Sequence, residues 1–391
     1  MAYMSVRVRA VFVFGVLAVF CLVPLGAQQP ASTLPAAAIA ELDKVIAAEQ
    51  AKASVPGLNV AIAWKNQLVY SKGFGFADLE ARIPATEKTA FRTASTAKPL
   101  TATGVMLLVE AGKIDLDAPI QTYCPAFPKK EWAVTARHIL GHQSGIRHYK
   151  KAGESAGTTH YFSIQDSLAI FKNDPLEFEP GTKYLYSTFG YSVLGCAIEG
   201  ASGMPYEVYM RDRVFAPAGM ARTRLDRIWD IIPDRARGYQ LLTADAFKTL
   251  PPAAQAFAKV GQIYNGPFHD TSMKIPGGGL VATAEDLTRF GIAFQTGSLV
   301  KAATVEQMWT EGKTADGKAT SYGLGWGTTP AQEGIRRFTH SGNQIGAASV
   351  FHVLPEVGLT YAIMTNLEDT EMGGLSRGIA GVLRTHLMVK K

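Results

Sequence analysis

Two β-rich blocks lie near opposite ends of the chain, and a helix-rich stretch separates them. Residues 57–76 contain two apolar runs around the turn Lys65-Asn66, and a second block covers residues 337–365. Strands at both ends with helices between them predict an α/β (α+β) fold, in which one antiparallel sheet flanked by helices carries an inserted, mostly helical lobe. We expect the active site in the cleft between the lobes. The individual elements predicted in these blocks are strands at 57–64, 67–76, 337–341, 347–354 and 359–365, and helices at 39–51 and 373–387.

The first 27 residues have the pattern of a secretory signal peptide. Arg7 and Arg9 precede an apolar run over residues 10–25, and small residues follow it. This run is short for the about 20 residues that a membrane span needs, and it contains Pro24. We therefore predict cleavage of residues 1–27, a periplasmic or secreted location, and no stable membrane span in the processed protein.

The rest of the chain is predicted to be one folded region after a short linker. Loss of the two signal-peptide arginines lowers the formal net charge from +6 to +4. The remaining excess is mild and no lysine- or arginine-rich block exists, so no nucleic-acid partner is predicted. The predicted parts are a linker at 28–40 and a domain at 41–391, with a sheet-bearing lobe at about 41–115 and 296–391 and a helical lobe at about 116–295.

The main chemical signal is the pattern Ser-x-x-Lys formed by Ser95 and Lys98. Apolar residues at helical spacing follow Ser95, and Pro99 falls in the first helical turn, where proline is tolerated. Residues three apart share a helix face, so Lys98 is expected beside the Ser95 hydroxyl. A desolvated, neutral lysine can take the proton of a serine nucleophile. The plain alternative is a serine at a helix start followed by a solvated lysine, because so short a pattern is common.

The chain around Ser95 resembles the serine β-lactamase and penicillin-binding-protein superfamily, especially its class C, carboxypeptidase and esterase-like branch. The resemblance covers nearly all of the chain after the predicted signal peptide. Besides the pattern of Ser95 and Lys98, it rests on segments at Ile114–Pro119, Thr135–Gly145, Pro180–Thr182, Gly277–Leu280, Thr283–Asp286 and Tyr322–Trp326.

The family's second motif, Tyr-x-Asn after a Pro-Gly turn, corresponds here to Tyr186, Ser187 and Thr188. The resemblance implies that Tyr186 is a catalytic tyrosine that carries protons between the nucleophile and the leaving group. Thr188 departs from the asparagine, because a hydroxyl lacks the paired donor and acceptor of an amide. This segment is similar to that of the mitochondrial β-lactamase-like proteins, a peptidase-type branch.

The family's third motif lies on a strand that faces the cleft and corresponds to His340, Ser341 and Gly342. The resemblance implies that His340 and Ser341 hold a substrate carboxylate or carbonyl, while Gly342 permits a close backbone approach. It also implies an oxyanion hole formed by the backbone N–H groups of Ser95 and Asn343. Threonine in the second motif and histidine in the third argue against an optimised class C β-lactamase.

Four histidines form the main competing pattern. His138 and His142 are four residues apart, and His148 or His160 would complete a zinc site. No His-Glu-x-x-His pattern is present, and the segment matches a loop and helix of the resembled family. No metal and no cofactor are therefore predicted.

Two further features concern packing. The run Gly277–Gly279 lacks the lysine of a phosphate loop and is expected to let backbone approach the cleft. Thr283 and Asp286 are spaced as a capping box for the following helix. Cys124 and Cys196 are the cysteines that remain after signal cleavage, and the sequence leaves their pairing open.

These patterns together predict an exported serine hydrolase that forms an ester on Ser95. Its substrate would be a small molecule or peptide with an amide or ester bond, and D-alanyl cell-wall peptides, β-lactams, esters and ordinary peptides all stay open. The alternative is a non-catalytic penicillin-binding, peptide-binding or sensor protein that retains the fold. A binder has no need of Ser95, Lys98 and Tyr186 together, which disfavours it. The choice of base between Lys98 and Tyr186, and the oligomeric state, are left open.

Overall fold

The computed structural model describes residues 34–151 and 153–388. The predicted signal peptide and the first part of the predicted linker lie outside these ranges. No helix in the described ranges is long and apolar enough to cross a membrane. The strands are β1 Gly57–Trp64, β2 Gln67–Asp78, β3 Ile83–Pro84, β4 Phe91–Arg92, β5 Arg224–Leu225, β6 Tyr239–Leu241, β7 Ile263–Asn265, β8 Leu280–Ala282, β9 Gly327–Gln332, β10 Ile335–Gln344, β11 Ala347–Leu354 and β12 Leu359–Thr365. The α-helices are α1 Ala36–Lys52, α2 Ala97–Glu110, α3 Ala136–Leu140, α4 Ile164–Ser167, α5 Thr188–Ser202, α6 Tyr206–Met210, α7 Ala244–Thr249, α8 Pro252–Gln255, α9 Ile275–Gly278, α10 Ala284–Gln295, α11 Ala302–Trp309 and α12 Met372–Leu383.

The central element is a seven-stranded antiparallel sheet with the strand order β3-β2-β1-β12-β11-β10-β9. β1 pairs with β12, with Leu58 opposite Thr365 and Ala63 opposite Thr360. Strands from the two ends of the chain are therefore neighbours, which confirms the predicted sheet. The predicted bounds of β11 and β12 are correct, whereas β10 extends three residues beyond the predicted end at residue 341.

Both faces of the sheet are covered, because apolar side chains alternate between two cores. Along β1, Leu58, Val60 and Ile62 belong to the core that α1 and α12 share with the sheet. Ala61 points to the opposite core, which also includes Phe290 of α10. This burial on both sides explains why β1 and β12 read as almost continuous apolar runs.

The structure corrects two predicted boundaries. α1 begins at Ala36 rather than residue 39, so the end of the predicted linker at 40 is wrong; Ala38 is fully buried against the sheet and the alanine run favours helix. α10 packs on the sheet, where the Thr288 hydroxyl donates to the Ala61 carbonyl at 3.2 Å. The predicted helical lobe should therefore end before α10, and the rest of the two-lobe division stays a prediction.

The start of α10 differs from the predicted capping box. The Thr283 hydroxyl accepts a hydrogen bond from the Asp286 N–H at 3.0 Å, as expected of an N-cap. The Asp286 carboxylate does not return the bond, because it accepts from the Arg222 N–H at 2.9 Å and from the Thr223 hydroxyl at 2.8 Å. Asp286 therefore ties a distant loop to this helix.

A disulfide joins Cys124 to Cys196 of α5, with Cα atoms 5.3 Å apart. The bond answers the pairing question that the sequence left open. It cross-links two points that lie 72 residues apart in the chain, and it anchors the helix whose first residue is Thr188.

Candidate active site

Ser95 lies in a 3-10 turn, Ala94–Thr96, directly before α2. Ala94 has a φ of +47°, a left-handed conformation that residues other than glycine adopt rarely and at a cost of about 1–3 kcal/mol. Hydrogen bonds hold the preceding backbone, since the Thr93 carbonyl accepts from the Thr96 hydroxyl at 2.7 Å and from the Ser349 hydroxyl at 2.6 Å. The chain is thus fixed in an uncommon conformation at the predicted nucleophile.

Lys98 is one helical turn further along and points at Ser95. Its ammonium nitrogen lies 3.0 Å from Ser95 Oγ, 3.1 Å from Thr188 Oγ1 and 2.9 Å from the Gly277 carbonyl oxygen. These partners match the three donors of a protonated lysine, whereas a neutral lysine keeps two donors and has a lone pair that can accept the Ser95 proton. The predicted pair on one helix face is therefore present, and Thr188 joins it from α5.

The surroundings of Lys98 favour its neutral form. The side chain is fully buried. Burial holds the pKa of Lys98 well below its ordinary value, and the positive charge of Lys274 lowers it further. None of the three hydrogen-bond partners of Lys98 is a carboxylate that would stabilise the charged form.

Tyr186 lies over the same two residues. The Lys98 nitrogen is 4.7 Å from the centre of its ring, and the His142 ring packs against it at 4.3 Å. Burial raises the pKa of the Tyr186 phenol, and a hydrogen bond with the Ser95 hydroxyl partly opposes the rise. Tyr186 is therefore a protonated phenol at neutral pH, next to the predicted nucleophile.

The third motif lies on β10 and packs against the nucleophile turn. A Cβ added at Gly342 would lie 2.7 Å from the Ser95 backbone nitrogen and 2.6 Å from the Thr93 carbonyl oxygen. Only glycine allows this approach without a shift of the strand. The exposed residue Ser341 precedes it, and Asn343 follows, with its side chain hydrogen-bonded to Asp369.

His340 differs from the role that the sequence suggested. Nδ1 lies 2.8 Å from the Ser341 carbonyl oxygen, which can only accept, so this nitrogen carries the proton. Nε2 lies 2.8 Å from the Tyr322 hydroxyl and accepts from it. Burial is the main cause that lowers the pKa of His340, to about 3. The ring is therefore neutral and has no free donor for a substrate carboxylate.

The glycine run makes the close backbone approach that the sequence predicts. The Gly277 carbonyl accepts from Lys98 at 2.9 Å, and a Cβ added at Gly277 would lie 2.7 Å from Cγ2 of Thr188. A Cβ added at Gly278 would lie 3.3 Å from the carbonyl carbon of Ala94. Small residues here let α9 supply a partner to the buried lysine.

A family model described as Beta-lactamase matches residues 42–383. The chain belongs to the Beta-lactamase family. Within the family, the mitochondrial serine beta-lactamase-like protein LACTB of Homo sapiens is 30% identical, over 77% of this chain and 69% of that protein. A penicillin-binding protein of Bacillus subtilis is 29% identical, over 80% of this chain and 68% of that protein.

Other relatives and solved structures agree with this assignment. Esterase EstB of Burkholderia gladioli is 33% identical over 49% of this chain and 52% of that protein. The structure of an octameric penicillin-binding protein homologue from Pyrococcus abyssi has a TM-score of 0.72 at 26% identity, over 90% of this chain and 77% of that chain. A D-amino acid amidase structure from Ochrobactrum anthropi has a TM-score of 0.74, over 89% of this chain and 99% of that one, and its 23% identity shows the shared fold alone.

The four histidines of the competing zinc pattern have other partners or none. His142 and His148 accept from backbone N–H groups at the start of α5, at 3.2 and 3.3 Å. His160 pairs with Asp270 at 2.7 Å, while the buried Nδ1 of His138 has no partner. Among residues 34–151 and 153–388, no group of three or more His, Cys, Asp or Glu side chains is placed to hold a metal ion.

The cavity beside Ser95 contains charged residues that sequence reasoning missed. It has a volume of about 260 Å³, and Lys274 and Glu368 line it together with Ser95 and Thr188. Lys274 lies three residues before the glycine run that the sequence singled out, but no local pattern marks it as a cleft residue. A larger cavity, about 900 Å³, contains none of the predicted site residues and shares Glu368 with the smaller one. We place the site at the smaller cavity because the reactive groups meet there.

Proposed function

We propose that this protein is an exported serine hydrolase that cleaves amide or ester bonds through an acyl-enzyme ester on Ser95. The observation that carries the proposal is the 3.0 Å contact between Ser95 Oγ and the nitrogen of the fully buried Lys98. A serine hydroxyl is a weak nucleophile until a base removes its proton, and a desolvated lysine provides that base.

The two pKa shifts in the site support separate roles for Lys98 and Tyr186. The pKa of Lys98 is lowered, which favours a neutral amine able to accept a proton. The pKa of Tyr186 is raised, which favours a phenol able to donate one. Neighbouring groups with pKa values pushed apart are the usual basis for such an assignment. Lys98 is thus the acylation base, and Tyr186 passes the proton on.

The proposed reaction has two halves. Ser95 Oγ attacks the substrate carbonyl carbon as its proton moves to Lys98, and the negative oxygen of the tetrahedral intermediate accepts hydrogen bonds from the N–H groups of Ser95 and Asn343. The bond to the leaving group breaks as Lys98, through Tyr186, returns the proton to that group. Water then attacks the ester on Ser95 with the same proton transfers in reverse, which releases the acid and restores the hydroxyl.

The substrate class of the proposal stays broad. The family relatives are a penicillin-binding protein, an esterase and a serine beta-lactamase-like protein by name. Thr188 supplies one hydroxyl to Lys98 where the usual motif has an amide, and His340 is neutral, so an optimised β-lactamase is disfavoured. We propose peptides and esters as the main substrates, with slow β-lactam turnover.

The proposed export has support besides the apolar N-terminal pattern. The disulfide between Cys124 and Cys196 suits an oxidising compartment such as the periplasm or the exterior. The human relative is mitochondrial by name, so location is a separate question for each protein. N-terminal sequencing of the protein recovered from the cell envelope and medium tests the cleavage after residue 27.

The direct test of the hydrolase uses a fluorescent fluorophosphonate and a substrate panel of nitrophenyl esters, nitrocefin and D-alanyl peptides. We expect a covalent adduct and turnover of at least one substrate in the native protein, and neither with Ser95→Ala. The control Ser298→Ala changes an exposed serine and should keep both. An adduct without any turnover would favour the binding or sensor alternative, and labelling that survives Ser95→Ala would overturn the nucleophile.

A further inference from the structure

A second buried lysine lines the cavity that contains Ser95. Lys274 is only 5% exposed, and its ammonium donates one hydrogen bond, to the Ser155 carbonyl at 3.0 Å. No carboxylate within the described ranges forms an ion pair with it. Within the described residues, two of its three donors therefore have no partner, in contrast to Lys98, which has three polar partners.

An unpaired buried cation is costly, and folded proteins seldom keep one without a purpose. Burial and the neighbouring Arg92 lower the pKa of Lys274 to about 8, while Asp226 and Glu368 act to raise it. At pH 7 the side chain is therefore still mostly charged. The cavity thus presents a positive charge beside the predicted nucleophile.

Asp226 and Glu368, the two acidic residues whose charges act on Lys274, have other hydrogen-bond partners. The Asp226 carboxylate forms a salt bridge with Arg92 at 2.7 Å and a second one with Arg235. Glu368 accepts a hydrogen bond from Gln240, and burial raises the pKa of its carboxyl. Neither group neutralises Lys274 by direct contact, so its free donors are open to a ligand.

The chemistry of the free donors selects the ligand. An ammonium group with two open N–H bonds in a desolvated cavity favours an anionic oxygen, above all a carboxylate. His340, the residue expected to hold such a group, has both ring nitrogens engaged and no charge. Lys98 serves as the base in the proposed reaction. Lys274, which lines the cavity, is therefore the lysine available to bind a substrate anion.

We propose that Lys274 is a substrate-binding residue that takes a carboxylate of the acyl donor or of its leaving group, and that this protein prefers substrates with such a carboxylate near the scissile bond. The proposal rests on the function proposed above. A carboxylate on the acyl side corresponds to an acidic side chain, and one on the leaving-group side corresponds to a C-terminal carboxylate.

Two matched pairs of esters distinguish a carboxylate on the acyl side from one on the leaving-group side. The first pair, 4-nitrophenyl hydrogen adipate and its methyl ester, differs by a carboxylate on the acyl side. The second pair, 4-(butanoyloxy)benzoate and its methyl ester, differs by a carboxylate on the leaving-group side. The measured quantity is the ratio of kcat/KM for the anionic ester to that for the neutral ester, at pH 7 and fixed ionic strength.

We expect the native protein to favour the anionic ester of at least one pair by about tenfold or more, the usual size of a charge-assisted hydrogen bond. Lys274→Met should abolish this preference, and Lys274→Arg should keep part of it. The control Lys44→Met removes the same charge from an exposed position on α1 and should leave the ratio unchanged. Equal ratios in the native protein and Lys274→Met for both pairs would overturn the proposal.

The ratio also separates binding from a structural role. If Lys274 only fixed the loop through Ser155, its loss would slow both esters of a pair equally and lower the melting temperature without changing the ratio. Failure of the proposed hydrolase itself has a different signature, since turnover of the neutral esters would then survive Ser95→Ala. The two proposals can therefore fail independently.

Discussion

The two halves of the site each bury a titratable base, yet the structure prepares these bases differently. The helix-borne half places the Lys98 nitrogen in contact with Ser95 Oγ, and none of its three hydrogen-bond partners is a carboxylate. The strand-borne half places His340 between the Tyr322 hydroxyl and the Ser341 carbonyl. Both ring nitrogens have partners, so neither is free to bind a substrate. Both pKa values are lowered by burial, but only Lys98 touches Ser95. The hydrogen-bond partners, rather than membership of a motif, therefore indicate that Lys98 is placed to take part in the reaction and that His340 is not.

Replacement of Lys98 should have the largest effect. Lys98→Met keeps the apolar stem and removes the base, so we expect acylation of Ser95 to slow by about 10³-fold or more. The folded protein should keep its melting temperature, because an uncharged side chain suits the buried position. Stopped-flow labelling with a chromogenic ester measures the rate, with the exposed Lys113→Met as the control. An acylation rate lowered less than tenfold in Lys98→Met would contradict the different roles given to Lys98 and His340.

Tyr186→Phe should come next. The variant keeps the ring that packs on Lys98 and His142 and removes the hydroxyl that passes the proton, so we expect kcat to fall about 10²-fold. The KM of a small ester should change little. Tyr184→Phe alters a neighbouring, partly exposed tyrosine and provides the matched control. Equal rates for the two variants would remove Tyr186 from the proton path.

Gly342→Ala tests how closely the strand must approach the nucleophile turn. The added Cβ would lie within 2.7 Å of both the Thr93 carbonyl oxygen and the Ser95 nitrogen, so the strand must move. We expect a loss of about 1–3 kcal/mol in the free energy of unfolding and a rate lowered about 10-fold or more. Thermal melts and ester kinetics check this, and Gly381→Ala in α12, where a Cβ meets nothing within 4 Å, is the control. Native stability and rate in Gly342→Ala would contradict the close approach.

The smallest catalytic effect is expected for Tyr322→Phe. Loss of the hydroxyl leaves Nε2 of His340 buried without its partner, which should lower the free energy of unfolding by about 1–3 kcal/mol. Turnover of a neutral ester should fall less than tenfold, because His340 does not touch Ser95. Chemical denaturation and kinetics on the same sample separate the two effects. A loss as large as that of Lys98→Met would give His340 a direct part in the chemistry.

Local patterns predicted the parts of the molecule that depend on near neighbours in sequence. The central strands follow from apolar runs between turn residues, and the contact of Ser95 with Lys98 follows from helical spacing. A close approach of the Gly277 backbone was also expected, but only the family resemblance indicated that it would face the cleft.

The rest depends on contacts between distant segments, which a single sequence does not display. The Tyr322 hydroxyl is hydrogen-bonded to His340, 18 residues further along the chain. Lys274, directly before α9, lines the cavity that contains Ser95. The return contact of Asp286 was lost to Arg222 and Thr223 for the same reason, since tertiary partners outcompeted a local one. Burial then determined the charge states, which residue types alone leave open.

The pH dependence of Ser95 acylation tests the central claim most directly. If neutral Lys98 is the base, the single-turnover rate must rise with pH as Lys98 loses its proton, and it must fall below that range as the ammonium forms. Because the pKa of Lys98 is held well below its ordinary value, we predict a native protein already active near neutral pH, with a rising limb that Lys98→Met abolishes. A rate that rises only near the ordinary lysine pKa of about 10.4, or a rising limb that persists in Lys98→Met, would contradict the account.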